Sequence, residues 1–348
     1  MTNSQSVLTL IDALTADGGI IQIRSITPED EAGLRALFGR ASADALRRRF
    51  FGVPGPAAVD REIARLIRPA ALASEVPDHE AIVALQAGTL IGVASYERRP
   101  PDSGSAEFAV YVDEAHHNRG VGTLLLEHLA ARARRVGVSE LVGEVLSSNG
   151  DMLRVVRDLD HRASLQFDAG VVDVRLRTEP DESALALADA RDRSAASASL
   201  RPLLAPRVVA VVGASRQPGG VGHATLRALV DYGFTGRLYA VNPQATEIAG
   251  VPAFPSVRAI PDQVDLVVVA VPAASVPSVM ADAAGAGVRA AVILSAGFRE
   301  VGADGAASQA EIVRRARQHG IRIVGPNCLG VLNTDPAVRL AALFAPEL

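Results

Sequence analysis

The sequence predicts an α/β chain of two domains, a mixed sheet with flanking helices first and a doubly wound parallel sheet second. Three observations carry this. The 348 residues suffice for two cores at about 150 residues per domain. Strand and helix patterns alternate up to residue 177, and near-continuous apolar strands separated by helices follow residue 207. Between them the composition turns to Ala, Ser, Asp and Arg, with Pro180, Pro202 and Pro206 bracketing little bulky apolar content. The expected organisation is a first domain over 1–177, a linker over 178–206, a second domain over 207–335 and a C-terminal tail over 336–348.

In the first domain Ile20 to Arg24 reads as a strand and Thr27-Pro28-Glu29-Asp30 as a helix start. Thr27 can cap, Pro28 suits the first helical position and Asp30 stands where a capping-box acid belongs. Helical stretches follow over 42–51 and 59–67, and residues 81–86 and 89–96 form a strand pair around Ala87-Gly88. Ala106 to Val112 is a strand by its Val, Phe and Tyr content. Residues 120–136 form a helix with Val121, Leu124, Leu125 and Leu129 on one face. A strand over 141–146, a helix over 149–158 and a strand over 171–176 complete the unit. The linker's centre reads as a surface helix that packs weakly, since Leu185 and Leu187 are its only large apolar residues before Leu200. The second domain shows strands at 208–212, 238–241, 266–271, 290–294 and 321–324. Crossover helices at 222–232, 275–286 and 307–319 make this a Rossmann-type pattern.

Composition excludes several chemistries. All 35 basic residues are Arg, so a Gly-Lys-Ser/Thr phosphate loop, a pyridoxal Schiff base and a Lys nucleophile are impossible. A net charge of −4 without a basic run argues against nucleic acid. The single Cys328 excludes an internal disulfide and a multi-Cys zinc site, and the His residues show no metal spacing, so no metal is expected. Asp12 and Asp17 without a basic start argue against a secretory signal, and no apolar run has the length of a membrane span. A cytoplasmic protein with no membrane partner is expected.

The first candidate site follows the strand that carries Glu107. His117-Asn118-Arg119-Gly120-Val121-Gly122-Thr123 opens the next helix, and successive backbone N–H groups at a positive helix end make an anion cradle fit for a pyrophosphate. A tight turn alone would also account for the Gly-x-Gly. Ser147-Ser148-Asn149-Gly150-Asp151-Met152 opens a further helix. Together these elements, over residues 20–177, resemble the GNAT acyltransferase superfamily, with its Gln/Arg-x-x-Gly-x-Gly/Ala acyl-CoA loop and an Asn-x-x-Met like Asn149 and Met152. His117 replaces the usual Gln/Arg. The resemblance implies that the backbone N–H groups of Asn118, Arg119, Gly120, Val121, Gly122 and Thr123 bind the pyrophosphate, that Val110 and Val112 pair with the pantetheine arm and thioester, and that Asn149 contacts the cofactor.

An amine of pKa about 10.4 must lose a proton before it attacks a thioester, and a nearby carboxylate can accept it. Glu107 lies in an otherwise apolar strand, where desolvation is expected to raise its pKa. The alternative is a carboxylate on a solvated face or one paired with Arg. The arrangement from Glu107 to Gly120 resembles that of bacterial GNAT-type protein lysine acetyltransferases, where the corresponding Glu is the base. Arg47-Arg48-Arg49-Phe50-Phe51 resembles that subgroup's substrate-side helix; a solvated Arg face over two core Phe residues is the other reading. Residues 147–160 contain no Tyr to serve as general acid, and a thiol of pKa near 8.5 leaves adequately without one, or with water or Ser148 as donor.

In the second domain Val212-Gly213-Ala214-Ser215 leads a strand into a glycine turn, but the strict Gly-x-Gly-x-x-Gly is absent. Asn242-Pro243 stands where a nicotinamide-dinucleotide site wants an acid. Residues 199–333 instead resemble the CoA-binding domain of NDP-forming acyl-CoA synthetases, including the succinyl-CoA synthetase alpha subunit. The matching motifs are Val212-Gly213-Ala214-Ser215, Val241-Asn242-Pro243, Val271-Pro272, Ser295-Ala296-Gly297-Phe298 and Gly325-Pro326-Asn327-Cys328-Leu329-Gly330. By that resemblance Gly213, Ser215, Asn242, Pro272 and Asn327 are candidate CoA contacts; a structural turn with a buried thiol is the other reading of Asn327 and Cys328. Ligation is not expected, because the family's phosphohistidine and ATP sites lie in further domains and the chain stops at Leu348. That end also fits a fragment of a longer protein.

The expectation drawn is an acetyl-CoA-dependent protein lysine N-acetyltransferase with a second, CoA-sensing or docking domain. Its expected partner is an acyl-CoA synthetase carrying the acceptor lysine. The alternatives are a small-amine N-acetyltransferase and a CoA-binding subunit of a split synthetase.

Overall fold

The computed structural model describes residues 10–68, 78–98, 104–160 and 163–344. The chain divides into two compact units. The first runs to Ala195 except for residues 18–20, which belong with the second, from Ala196 onward.

The first unit begins with β1 (Ile11–Leu14), β2 (Ile20–Ser25), α1 (Glu31–Gly39), α2 (Ala43–Phe50) and α3 (Pro56–Leu66). It continues with β3 (His79–Gln86), β4 (Thr89–Arg98), β5 (Ser105–Val112), α4 (Val121–Arg135), β6 (Glu140–Leu146), α5 (Gly150–Leu159), β7 (Ser164–Asp168) and β8 (Val171–Arg177). The strands form one sheet in the order β1-β2-β3-β4-β5-β6-β8-β7. Pairing is parallel between β5 and β6 and antiparallel in the other registers from β2 to β7, so the expected mixed sheet is present. The capping box also forms. Asp30 accepts from the Thr27 N–H at 2.8 Å and pairs with Arg24 at 2.7 Å, tying the start of α1 to β2.

Two apolar layers sandwich this sheet. On one face α4 buries Val121, Leu125, Leu126 and Leu129 beside Ile21, Ile82 and Leu141. Leu124, expected on that face, is only partly buried. On the other face Leu34, Leu37 and Phe38 of α1 and Ile63 of α3 pack on Val83 and Tyr111. β1 and β7 escape a search for alternation because their residues are mostly half-exposed or exposed, Phe167 included.

Residues 182–204 form one helix, α6 (Glu182–Leu204). Its buried positions are Ala184, Ala195, Ser199 and Leu203. Most other positions of α6 are half-exposed or exposed, so it packs weakly, as its shortage of large apolar side chains predicts. Leu185 stays exposed, as its isolation suggests.

The second unit contains β9 (Val208–Val212), α7 (Val221–Tyr232), β10 (Arg237–Val241), β11 (Glu247–Ile248), β12 (Val251–Phe254), β13 (Leu266–Val269) and α8 (Val276–Gly285). Then come β14 (Ala290–Ile293), α9 (Ala303–Gln318), β15 (Arg322–Val324), β16 (Gly330–Asn333) and β17 (Leu340–Leu343). The main sheet runs β11-β12-β10-β9-β13-β14-β15, with every pairing from β12 to β15 parallel. Chain order reverses between β9 and β13, the switch point at which doubly wound sheets bind ligands beyond their strand ends. Central strands read Val-Val-Ala-Val-Val and Leu-Val-Val-Val because helices cover both faces. The expected tail is a correction: β17 is fully buried and pairs antiparallel with β16, while residues 345–348 lie outside the described residues.

Close backbone packing fixes the first turn of this unit. Gly213 has φ 91, and a Cβ on Gly222 would stand 2.3 Å from the Gly213 carbonyl oxygen. Neither backbone can yield. Gly222→Ala is expected to destabilise the unit by about 2 kcal/mol or more. Gly220→Ala, at φ −85 with no atom within 4 Å of the added methyl, serves as control. Equal urea midpoints for the two variants would contradict the packing account.

Candidate functional site

Strands β5 and β6 pair at Ser105–Glu140, Ala106–Leu141 and Glu107–Val142, and there the register ends although both strands continue. The strands part. Phe108 sits at the divergence, its ring so close to residue 143 that a Cβ there would come within 2.9 Å, which makes glycine the fitting residue. Past that point β5 keeps its pairing with β4, and the Asp113 N–H just beyond the strand donates to Ile91 O at 2.9 Å. Backbone groups alternate along a strand, so Phe108, Val110 and Val112 direct theirs to the opposite, unpaired edge. The Val112 carbonyl meets His117 Nε2 at 3.0 Å on that edge.

A cavity of about 420 Å³ opens beside the parted strands. Val110 and Val112 line it, followed by Asn118, Gly120, Val121, Gly122 and Thr123 at the start of α4, and Asn149 and Met152 at the start of α5. Gly120 is the N-cap at φ 78 and supplies no side-chain cap, so the first N–H groups of α4 keep their donor capacity for a ligand. Asn118 also takes positive φ, at 58. Asn149 caps α5 by accepting from the Met152 N–H at 3.2 Å, which leaves its amide donors to the cavity.

Two predicted residues lie differently. Arg119 turns away from the cavity to bond Asp17 at 3.0 Å and Gln86 at 2.9 Å, so only its backbone stays with the loop. Glu107 does not line the cavity, and it is exposed. The expected desolvation is therefore corrected, for a reason of strand geometry. Ala106 and Phe108 point into the core under α4, whereas Glu107 shares the opposite face of β5 with Tyr111. There it lies near enough to Arg49 for mutual attraction.

Arg48 and Arg49 of α2 line the cavity wall on this side. Arg49 is ion-paired with Glu62 of α3, which Arg65 also holds at 2.8 Å. Burial pulls the Arg49 guanidinium below its usual value, against the attraction of Glu62 and Glu107, and its Nε has no hydrogen-bond partner. Phe50 packs edge-on against Phe38 with ring centroids 6.0 Å apart, but Phe51 is exposed, so the expected pair of core Phe residues is one. Further lining residues escaped the sequence reading: Tyr111, whose hydroxyl burial pushes up to about 12, His116, which burial pulls down, Arg154 and Arg191. No local pattern marks them; they meet only through tertiary packing.

In the second unit the candidates collect at the carboxyl ends of the parallel strands. Gly213 and Ser215 follow β9, Asn242 follows β10, Pro272 follows β13 and Asn327 follows β15. Asn242 donates to Ala214 O at 2.8 Å and accepts from the Gln244 N–H at 2.8 Å. Ser215 Oγ accepts from the Gln217 N–H at 3.1 Å. The Asn327 N–H donates to Ser295 O at 3.0 Å, with φ 56, and Cys328 Sγ lies 3.4 Å from Ile293 O. Neighbouring strand-end loops are thus stitched to one another around the switch point.

Both sites combine parallel strand ends with a helix start, the arrangement of phosphate-bearing ligands. Comparison with known proteins gives them their class. Residues 43–159 match the acetyltransferase (GNAT) family and residues 207–334 match the CoA-binding domain family, so the chain carries one domain of each kind. It is similar to the ADP-forming acetate–CoA ligase I of Archaeoglobus fulgidus, 45% identical over 146 residues, which are 42% of this chain and 21% of that protein. The alpha subunit of the corresponding ligase I of Pyrococcus furiosus is 42% identical over 152 residues, 42% of this chain and 32% of the subunit. The chain thus spans about a fifth to a third of these curated relatives. Among solved structures, the GNAT domain of S. lividans PAT is 28% identical, covering 48% of this chain and 96% of that one with a TM-score of 0.41.

The buried ion pair beside the cavity is testable. Glu62 and Arg49 side chains are only 12% and 14% exposed. Burial pushes the Glu62 carboxyl up, yet Arg65 and Arg49 outweigh it and hold the group below the ordinary carboxylate range. Its stabilising contribution is thus present above the unfolded value of about 4.3 and lost as pH falls from there through the lower folded value. Glu62→Gln leaves Arg49 without its partner and is expected to cost about 3 kcal/mol at pH 7. The loss should shrink in acid, which urea unfolding at pH 7 and pH 3 checks.

Proposed function

We propose that the first domain transfers an acetyl group from acetyl-CoA to the side-chain amine of a lysine on another protein, in the cytoplasm. The observation that supports this most is the parting of β5 and β6 beside a cavity that runs to the uncapped start of α4. The diphosphate is assigned to the N–H groups of residues 118–123. The pantetheine arm adds to the unpaired edge at Val110 and Val112 as an extra strand would. Asn149 donates its amide to the arm.

The amine nitrogen attacks the thioester carbonyl carbon, forming the C–N bond. Glu107 accepts the proton that the nitrogen loses. Collapse of the tetrahedral adduct breaks the C–S bond, and the thiolate leaves and takes its proton from water. Glu107 reaches the amine from the α2 face of the sheet, and the Arg49 charge holds the carboxylate toward it. The second domain is proposed to bind CoA or an acyl-CoA through Gly213, Ser215, Asn242, Pro272 and Asn327 and to sense that ligand. An acyl-CoA synthetase is the proposed acceptor.

A second reading has a specific support. The second domain's identity to ligase alpha subunits suits a CoA-binding component of a synthetase assembly, with ligation carried out by partner chains. Acetyl-lysine formation separates the two. With acetyl-CoA and a panel of acyl-CoA synthetases, the native chain should label an acceptor, and Glu107→Gln should slow transfer about 100-fold or more while still binding acetyl-CoA. The chain itself has no Lys to contribute background label. No transfer to any protein, with acetyl-CoA bound, would overturn the lysine reading in favour of a small amine or the synthetase component.

A further inference from the structure

Four arginines line the cavity, Arg48, Arg49, Arg154 and Arg191, and three of them have their charge met at close range. Arg48 pairs with Asp44 at 2.7 Å and Arg49 with Glu62, while Arg191 pairs with Glu127 at 3.2 Å and also donates to Asp158 O at 2.6 Å. Arg154 of α5 differs. Its Nη1 donates to Asn118 Oδ1 at 3.2 Å, an uncharged acceptor. Its ion pair with Asp151 spans 3.4 Å, and Arg48 draws on the same carboxylate at 3.9 Å. Surface pairs of that kind contribute little and give way to a stronger anion. The Arg154 side chain is 62% exposed, so its planar fork of five N–H donors keeps capacity for a ligand.

The bond to Asn118 selects the part of the ligand that Arg154 meets. Asn118 opens the run of N–H groups assigned to the diphosphate, and its positive φ of 58 belongs to that turn. A guanidinium 3.2 Å from its side chain stands at the cradle end of the cavity. The cradle is short of positive charge. N–H groups at a helix start amount to about half a unit charge, against about two negative charges on a diphosphate. Arg119, the cation within the loop, is turned away to Asp17 and Gln86. We propose that Arg154 binds the diphosphate of the acyl-CoA, as the side-chain cation that completes the cradle from α5. Asn118 orients the guanidinium without neutralising it, because its acceptor carries no charge. The assignment rests on the acyl-CoA reading of this cavity.

The experiment follows ligand-induced hydrogen-exchange protection over residues 108–124 of the full chain, which reports on this cavity apart from the second domain and needs no acceptor. Three ligands are titrated: acetyl-CoA; acetyl-dephospho-CoA, which lacks the 3′-phosphate and keeps the diphosphate; and acetyl-pantetheine, which carries no phosphate. Arg154→Ala should weaken the first two alike, by about tenfold, the worth of a charge-assisted phosphate contact, and leave acetyl-pantetheine unchanged. Arg154→Gln should lose as much, because it keeps an amide donor for Asn118 but not the charge. Arg157→Ala removes an exposed arginine of the same helix outside the cavity wall and should leave all three affinities unchanged.

A loss confined to acetyl-CoA would place Arg154 at the 3′-phosphate and overturn the diphosphate assignment. A loss that extends to acetyl-pantetheine, or that Arg157→Ala reproduces, overturns it as well, since the effect is then not local to the phosphates. Native-like binding by Arg154→Gln reduces the side chain to a tie for Asn118, and native-like binding by Arg154→Ala removes it from the site. All of these results leave the acyl-CoA reading standing. No protection of the native chain by any of the three ligands overturns that reading with the assignment.

Discussion

The parting of β5 and β6 beyond Glu107 and Val142 is the constraint on which the first unit's chemistry depends. A paired strand would have its backbone donors and acceptors satisfied and would offer a ligand nothing. An edge opened inside a sheet leaves those groups exposed at a cost, because unpaired backbone groups away from water are unfavourable. The arrangement is stable where something else meets them. His117 takes the Val112 carbonyl, and under the acyl-CoA reading a pantetheine arm would supply amides for the rest. The same logic holds at α4, whose N-cap glycine caps nothing. Both deficits face one cavity, and a ligand with a diphosphate and an amide-bearing arm resolves both.

The second unit solves a similar problem without parted strands. Its parallel strands end together, and the reversal of chain order between β9 and β13 leaves a crevice where the connections diverge. Tight glycine packing brings α7 against the β9 turn, and Asn242 bridges from β10 to Ala214. Asn242, which bonds the neighbouring loop, stands where a ribose diol would require an acid.

Most of the fold was legible because its strands and helices obey simple periods. Val208 to Val212 and Leu266 to Val269 announce a doubly covered sheet, and the Thr27 to Asp30 box announces a helix start. The loop that lines the cavity at the start of α4 was legible too, since glycines before a helix are a local signal. What escaped was tertiary. α6 was read as a weakly packed surface helix, which its few buried positions bear out, but not as a wall of the cavity. Arg191 looks like any exposed linker arginine until α4 and α5 are in place around it. The burial of Glu107 was misjudged because an apolar strand was read as apolar on both faces, when its odd and even positions face different layers.

That misjudgement bears on the acceptor. A base that is exposed in the free chain must be desolvated by something else if it is to work in a water-excluded site. A small amine that slips into the cavity covers little of the α2 face of β5. A folded acceptor that docks there covers the exposed Glu107, and its own surface replaces the water around the reacting pair. Under the acetyltransferase reading, the exposure of Glu107 thus favours a macromolecular acceptor.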